Sequence, residues 1–381
     1  MNDNNNNRPN QQEDDGSLSF LAIPQDEGNK HFNCRETTQQ KLINLTFWVC
    51  DYIEGVKTKF GAERFLVKIK RNRDDKHAEA DLLALHEALK AGTYKTSEYS
   101  IFTIYEPKER IIYRLPYFPD RIVHHAIMNI LEPVWVSVFT ADTYSCIKGR
   151  GIQAAADKVR KAIDRDKPGC AYCLKIDIRK FYPSIDHDVL KAIVRRKIKD
   201  TRLLKLLDEI IDSAEGLPIG NYLSKYLANL VLTYFDHWVK EVRLVKYYFR
   251  YADDIVVLHS SKKYLRELLA EFETYLTGLK LHVKDNKQIF PVAKDHKDRH
   301  GRGIDFLGFV FYHNETRLRK RIKQNLCRKV AKLRKRKKPL TNEEFKQRIA
   351  SWWGWAKHSD SEYFINKLNS KIKPYEIKFK R

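Results

Sequence analysis

The stretch YYFRYADDIVVLH, residues 247–259, sets two adjacent carboxylates, Asp253 and Asp254, between two strand-forming runs. Tyr247, Tyr248 and Phe249 precede them, and Ile255, Val256, Val257 and Leu258 follow. Aspartate is depleted in strands and neighbouring like charges repel. The pair therefore reads as a hairpin tip, either a surface turn or a holder of something cationic. A second apolar run, Ala171-Tyr-Cys-Leu-Lys-Ile176, ends on a third carboxylate, Asp177. If the two runs neighbour each other in a sheet, three carboxylates converge at one edge. Such a cluster opposes its own ionisation unless hard divalent cations neutralise it. Two ions ~3.5–4 Å apart can activate an attacking hydroxyl and stabilise a leaving pyrophosphate.

The surrounding pattern frames that edge. Apolar spacings of three and four predict helices over Leu42 to Val56, Asp74 to Lys90 (Ala78, Leu82, Leu85 and Leu89 inward) and Lys262 to Lys280. Ser100 to Pro116 alternates as a hairpin, and Asp120 to Phe139 reads as a helix capped by Asp120 and interrupted near Pro133. After Asp177 the chain turns through IRKFYPSI into a helix starting near Asp188. The breaker Gly216-Leu-Pro-Ile-Gly220 precedes one long helical pattern, Leu223, Leu227, Leu230, Tyr234 and Trp238. Gly303 to Tyr312 returns to strand, and the chain beyond Arg317 is mostly helical. The β-α-α-β-β-α-β order of the middle predicts an α+β fold, a sheet with helices on one face.

Charge points to a polyanionic partner. The 381 residues carry 72 Lys and Arg against 49 Asp and Glu, a net of +23. From Thr316 to Arg381 there are 22 basic and 5 acidic residues, and residues 328–338 (RKVAKLRKRKK) hold eight basic positions in eleven. The first thirty residues are Asn/Gln/Asp-rich and acidic, the composition of a disordered tail. With no signal-peptide core at the N-terminus and no apolar run near ~18 residues, the expectation is a cytoplasmic protein without a membrane partner. The six cysteines form no disulfide framework, and Cys170-Ala-Tyr-Cys173 lacks a second ligand pair at zinc spacing, so they read as reduced structural residues.

From Tyr105 to Tyr312 the chain resembles a reverse transcriptase. Arg110-Ile-Ile-Tyr-Arg-Leu-Pro116 and Asp120-Arg-Ile-Val-His-His-Ala126 resemble fingers segments. Leu174-Lys-Ile-Asp-Ile-Arg-Lys-Phe-Tyr-Pro-Ser-Ile185 resembles the first palm motif. Gly216-Leu-Pro-Ile-Gly-Asn-Tyr-Leu-Ser224 is similar to the template- and nucleotide-positioning motif, Tyr251-Ala-Asp-Asp254 to the catalytic hairpin, and Ile304-Asp-Phe-Leu-Gly308 to the primer grip. The wording FYPSI, the Ile219-Gly220 pair and RGIDFLG resemble the enzymes of diversity-generating retroelements. Phage-defence reverse transcriptases share much of it, and Lys225, where the diversity-generating pattern has Gln, keeps them as the alternative.

The resemblance implies a right-hand polymerase with fingers, an antiparallel palm sheet and a helical thumb. Its segments would be a polar tail (1–30), an N-terminal helical extension (31–95), fingers and palm (96–315) and a basic thumb (316–381). It implies RNA-templated DNA synthesis with two Mg²⁺ ions, Mn²⁺ as a substitute, deoxynucleoside triphosphates (dNTPs) as substrate, an RNA template, a DNA product and room for an accessory protein. Asp177, Asp253 and Asp254 would be catalytic and, with the Ile178 backbone, metal-binding. Arg110, Arg179, Phe181, Tyr182, Ile219, Gly220 and Lys287 would serve the nucleotide. Among these, Tyr182 is the sugar gate, its neighbour Phe181 turns into the core, Arg110 is the triphosphate clamp and Lys287 the acid for pyrophosphate. Arg328, Lys329, Arg334, Lys335, Arg336, Lys337 and Lys338 would track nucleic-acid phosphates. His124 and His125 read as packing residues, and Trp352, Trp353 and Trp355 as thumb core. Self-primed or template-independent synthesis shares every one of these residues, and a catalytically silent nucleic-acid-binding protein is the reading from another class.

Overall fold

The computed structural model describes residues 75–105, 109–335 and 340–369. The polar tail of 1–30, the helix expected over 42–56, and Arg336, Lys337 and Lys338 lie outside the described residues, as does the Arg334 side chain.

Helix α1 (Asp75–Ala91) sets Leu85 and Leu89 on the core and leads into an antiparallel hairpin, β1 (Ser100–Ile104) and β2 (Arg110–Arg114). Helix α2 (Ile122–Val138) follows and runs through Pro133 without interruption. Its Val123, Ile127, Leu131 and Trp135 are all buried, and that packing outweighs the one backbone bond proline removes. Asp120 caps nothing. It is buried and accepts from the Tyr94 hydroxyl (2.7 Å) and the Ser97 amide (3.0 Å), tying α1's exit to the start of α2.

Helix α3 (Ile152–Arg165) precedes β3 (Tyr172–Asp177), and then come α4 (His187–Lys197), α5 (Thr201–Ile211), α6 (Tyr222–Val231) and α7 (Thr233–His237). Asp186 and Asp200 cap α4 and α5 by accepting amide hydrogens from the first turn. The single helix expected over 223–238 is broken at Leu232. Thr233 Oγ1 donates back to Asn229 O (3.0 Å), and Asp236 turns inward to a buried partner. Strands β4 (Tyr247–Tyr251) and β5 (Asp254–His259), helix α8 (Lys262–Gly278) and strand β6 (Gln288–Pro291) complete the palm. Strands β7 (Ile304–Phe306), β8 (Phe309–Phe311) and β9 (Thr316–Leu318), with helices α9 (Lys320–Arg334), α10 (Asn342–Lys357) and α11 (Glu362–Asn369), end the described chain. The boundary expected at 315/316 falls between β8 and β9, inside one three-stranded sheet.

The palm sheet is antiparallel with order β4-β5-β3-β6. It is covered on both faces, not one. Leu174, Ile176, Tyr248, Ile255 and Val257 face a core shared with α2, α4 to α8. Cys173, Phe249, Val256, Leu258 and Phe290 face a second core with α3, the β7–β9 sheet and the thumb helices. The uninterrupted apolar run Ile255–Leu258 carries this double burial, because alternate side chains of a strand leave on opposite faces. Cys170 and Cys173 are buried free thiols, whereas Cys146 and Cys327 are free and exposed.

Candidate active site

Asp177 and Asp254 are direct cross-strand partners in the β3–β5 ladder. Direct partners share a face, so the two carboxylates stand side by side at the sheet's end. Asp253 occupies the two-residue turn between β4 and β5, whose first residue, Ala252, has φ +54. Burial first, and the Asp177 charge second, raise the Asp253 carboxyl to about 6. Burial also raises Asp254 to about 6, with the Lys175 ammonium opposing and the Asp177 charge adding to the rise.

Two lysines balance this edge, and neither stood out in the sequence. Lys284 Nζ donates to Asp177 Oδ1 at 2.7 Å. Lys175, two residues before Asp177 and therefore on the same strand face, holds its Nζ 3.5 Å from Asp254 Oδ1. The same ammonium donates to the Asp305 carbonyl in the β7–β8 hairpin, and Arg319 pairs with the Asp305 carboxylate at 2.5 Å. Asp254 Oδ1 is itself buried and accepts no hydrogen bond. Lys287, expected at this edge, is instead drawn to Glu273 on α8. The β3 chain beyond Asp177 pairs Ile178 with Val283, which brings in Lys284 three positions before Lys287. That bridge crosses more than a hundred residues of chain, so counting along the sequence could not place it.

In this arrangement no three acidic, imidazole or thiol side chains among the described residues converge as a ready cage for an ion. The donor set nonetheless suits a hard divalent cation. It has an orphaned buried carboxylate oxygen, two carboxyls held above their ordinary range, and an all-oxygen character. Ile178 adds to it. The flanking bonds Arg179 N to His282 O and Lys284 N to Asp177 O mark Ile178 and Val283 as a non-hydrogen-bonded pair. The Ile178 carbonyl is therefore unused in that bridge and faces away from Val283. The Arg179 amide, in contrast, is already spent on His282 O (2.8 Å) and is not free for a triphosphate.

Tyr182 lies five residues past Asp177 and is partly buried. Burial raises its phenol above the ordinary value, with Cys146, Asp253 and Tyr251 adding to the rise and the exposed Arg110 guanidinium opposing it. Phe181 packs in the core at 3% exposure, edge-on to Tyr182 with centroids 5.6 Å apart, and so backs the tyrosine. The 216–220 loop straps these parts together. Leu217 N donates to Tyr182 O (2.8 Å), and Tyr113 N donates to Ile219 O (2.9 Å). A Cβ on Gly216 (φ +59) would lie 2.6 Å from Tyr182 O, and one on Gly220 (φ +126) 2.8 Å from Tyr113 O. Both positions need glycine because backbone approaches backbone there. Gly220 serves the fingers strand β2, not only an incoming ligand.

On the thumb, Arg328 and Lys335 are exposed, and Lys329 reaches over the Trp352 ring (5.9 Å). Lys329, Lys332, Leu333, Lys335 and Arg348 line a cleft of about 510 Å³ between α9 and α10. Arg348 was not singled out in the sequence because it lies one helix beyond the basic run. Trp352, Trp353 and Trp355 are half-buried against the second core, and Trp355 Nε1 donates to Leu307 O (3.3 Å). His124 is buried and held neutral, lowered to about 4 chiefly by desolvation, while His125 stacks on Tyr222 at 4.9 Å.

The reverse transcriptase (RNA-dependent DNA polymerase) family matches residues 106–311, more than half of the chain. The chain belongs to that family, and its described residues have the family's α+β, right-hand architecture. A domain of unknown function (DUF8468) matches residues 33–104. The chain is similar to Protein YkfC of Escherichia coli, 25% identical over 248 residues that cover 53% of this chain and 63% of that one. It is similar to the group II intron-encoded protein LtrA of Lactococcus lactis subsp. cremoris, 25% identical over 183 residues, 45% of this chain and 30% of that one. The chain thus spans less than two thirds of the length of these relatives. Apo telomerase from Candida tropicalis matches with a TM-score of 0.45 and 11% identity, covering 74% of this chain and 60% of that structure.

The raised carboxyls make the metal-free fold sensitive to pH. An acid whose folded value lies above its unfolded value of ~4 stabilises below pH ~4, and that stability is lost as pH rises through the folded value. Between about pH 4 and 6 the metal-free protein loses stability as Asp253 and Asp254 ionise. With a chelator at pH 7.5, Asp254→Asn should be more stable than the parent by roughly 1–3 kcal/mol in urea unfolding, after allowance for solvent screening. Equal or lower stability of the variant would show that the edge carries no repulsive load.

Proposed function

We propose that the chain is an RNA-directed DNA polymerase that extends a primer by nucleotidyl transfer at the Asp177–Asp253–Asp254 edge, using two Mg²⁺ ions, with Mn²⁺ able to substitute. The observation that carries this reading is the cross-strand pairing of Asp177 with Asp254 beside the Asp253 turn. Bound divalent ions would activate the primer hydroxyl and stabilise the charge leaving on pyrophosphate. Asp177, Asp253, Asp254 and the Ile178 carbonyl would hold them. Tyr182 would present its ring beneath the incoming sugar, and Arg110, exposed at the start of β2, would meet the triphosphate. Lys284, not Lys287, is the lysine that reaches the carboxylate edge and can bring a proton toward the leaving group.

RNA template and DNA product would lie across the sheet end that carries Asp177 and Lys175 and beside the β7–β8 hairpin, with the basic α9–α10 cleft taking phosphates. We keep fingers and palm within 96–315 and the thumb beyond. No helix among the described residues is long and apolar enough to cross a membrane. For biological setting we favour a diversity-generating retroelement on the wording FYPSI and RGIDFLG. Lys225 after Ser224 favours a phage-defence enzyme as the second reading, and an accessory protein fits either.

Asp253→Asn removes a metal ligand and leaves the basic surface untouched. It should abolish primer extension in Mg²⁺ on an RNA template while RNA affinity stays within about threefold. Extension retained by this variant would sink the two-metal reading.

Sugar choice probes the pocket at single-residue resolution. A close-packed ring rejects an added 2′-hydroxyl sterically, so Tyr182→Ala should raise ribonucleotide incorporation by about tenfold or more. Phe181→Ala should instead destabilise the fold by ~3–5 kcal/mol and leave sugar preference in place. The reverse pattern, read from paired incorporation assays, would shift the gate by one residue.

A further inference from the structure

The catalytic turn is anchored from below by a buried arginine that lies in the same hairpin. Arg250, on β4, is fully buried. Its Nε donates to both oxygens of Asp236 (2.7 and 2.9 Å) and its Nη2 to Asp236 Oδ2 (2.5 Å). Its Nη1 donates to Asn229 Oδ1 (3.2 Å) and to the Ala252 carbonyl (3.1 Å). Asp236 is completed by Thr143 Oγ1 (2.9 Å) and the Tyr248 hydroxyl (2.6 Å), and Asn229 Nδ2 is fixed on Ser145 O (2.7 Å). The Arg250 backbone is pinned as well, its amide donating to Asp142 O and its carbonyl accepting from Tyr144 N, both at 3.0 Å.

Two features make this more than a satisfied core ion pair. A two-residue hairpin turn with positive φ at its first position favours glycine, and here that position is Ala252 at φ +54. An alanine in that backbone region must be held by its surroundings. The group holding it is the guanidinium two residues earlier, bonded to the carbonyl immediately before Asp253. The planar fork reaches Asp236 and Ala252 at once, a geometry that an ammonium cannot reproduce.

We propose that Arg250 is the positioning residue of the active site: its Nη1 bond to Ala252 O fixes the turn that presents Asp253, and Asp236, Asn229 and Thr143 fix Arg250. Asp236 thereby acts on the reaction at two removes. The helix break at Leu232 gains a purpose, because it lets Asp236 face the sheet. This inference rests on the polymerase reading above.

Arg250→Lys keeps a cation for Asp236 but gives up the fork. Tyr248→Phe removes one hydrogen bond from the same carboxylate without touching Ala252, and serves as the structural control. Single-turnover extension at saturating dNTP, normalised to active sites by burst amplitude, is measured beside melting temperature and Mg²⁺ dependence. Arg250→Lys should slow the step by about tenfold or more and shift half-saturation to higher Mg²⁺, with apparent dNTP affinity within about threefold. Tyr248→Phe should lower melting temperature yet keep the rate within about twofold of the parent. If Arg250→Lys gives no folded protein, the Arg250→Met, Asp236→Leu pair, which leaves no buried charge unpaired, is read by the same criteria. A parental rate in the folded variant, or an equal loss in Tyr248→Phe, overturns the positioning role. A parent protein that extends no primer would instead overturn the polymerase reading.

Discussion

Burial of Asp253 and Asp254 beside the Asp177 charge is the constraint that the rest of the palm answers. Three carboxylates at the end of a sheet buried on both faces hold one another, and the low-dielectric interior, under electrostatic load. Lys284 meets Asp177, and Lys175 spans the gap between Asp254 and the β7–β8 hairpin. Arg250 holds the turn from beneath without touching the carboxylates. One buried oxygen of Asp254 is left without a hydrogen-bond donor. The Lys175 ammonium, 3.5 Å away, offsets the charge at that oxygen.

The surrounding architecture transmits position to that edge from three sides. The 216–220 loop bonds both the Tyr182 carbonyl and strand β2, and so ties the chain around Tyr182 to the strand that begins at Arg110. The β7–β8 hairpin is tied to Lys175 on one side and, through the Trp355 indole on Leu307 O, to the thumb on the other. Helix α7 carries Asp236 to the underside of β4. Each link is a hydrogen bond to backbone or a buried ion pair, which fixes direction more tightly than apolar contact alone.

Much of this was legible in the sequence, for identifiable reasons. Apolar runs bounded by aspartates exposed the neighbourhood of Asp177, Asp254 and the Asp253 turn, since strand ends and hairpin tips are locally encoded. The helix beginning near Asp188 and helix α8 were equally plain, whereas α5, capped by Asp200, did not stand out as a separate element. What stayed hidden depends on contacts between distant residues. Asp120 resembles a cap until Tyr94 is seen to claim it. Lys284 and Lys287 are equivalent on paper and are separated only by the Ile178–Val283 bridge. The run Ile255–Leu258 is apolar on both faces, yet the element order reads as covering one face only, because the elements that supply the second cover come from distant parts of the chain.

Cation binding at the carboxylate edge tests the account most directly, and Mn²⁺ titration at pH 7.5, followed by electron paramagnetic resonance, measures it without reference to activity. Lys284→Met frees Asp177 Oδ1 from an ammonium that competes with a metal ion, so its Mn²⁺ affinity should rise about tenfold or more, whereas Asp177→Asn should weaken binding by a similar factor. Unchanged Mn²⁺ affinity in both variants would contradict the assignment of this edge as the metal-holding centre.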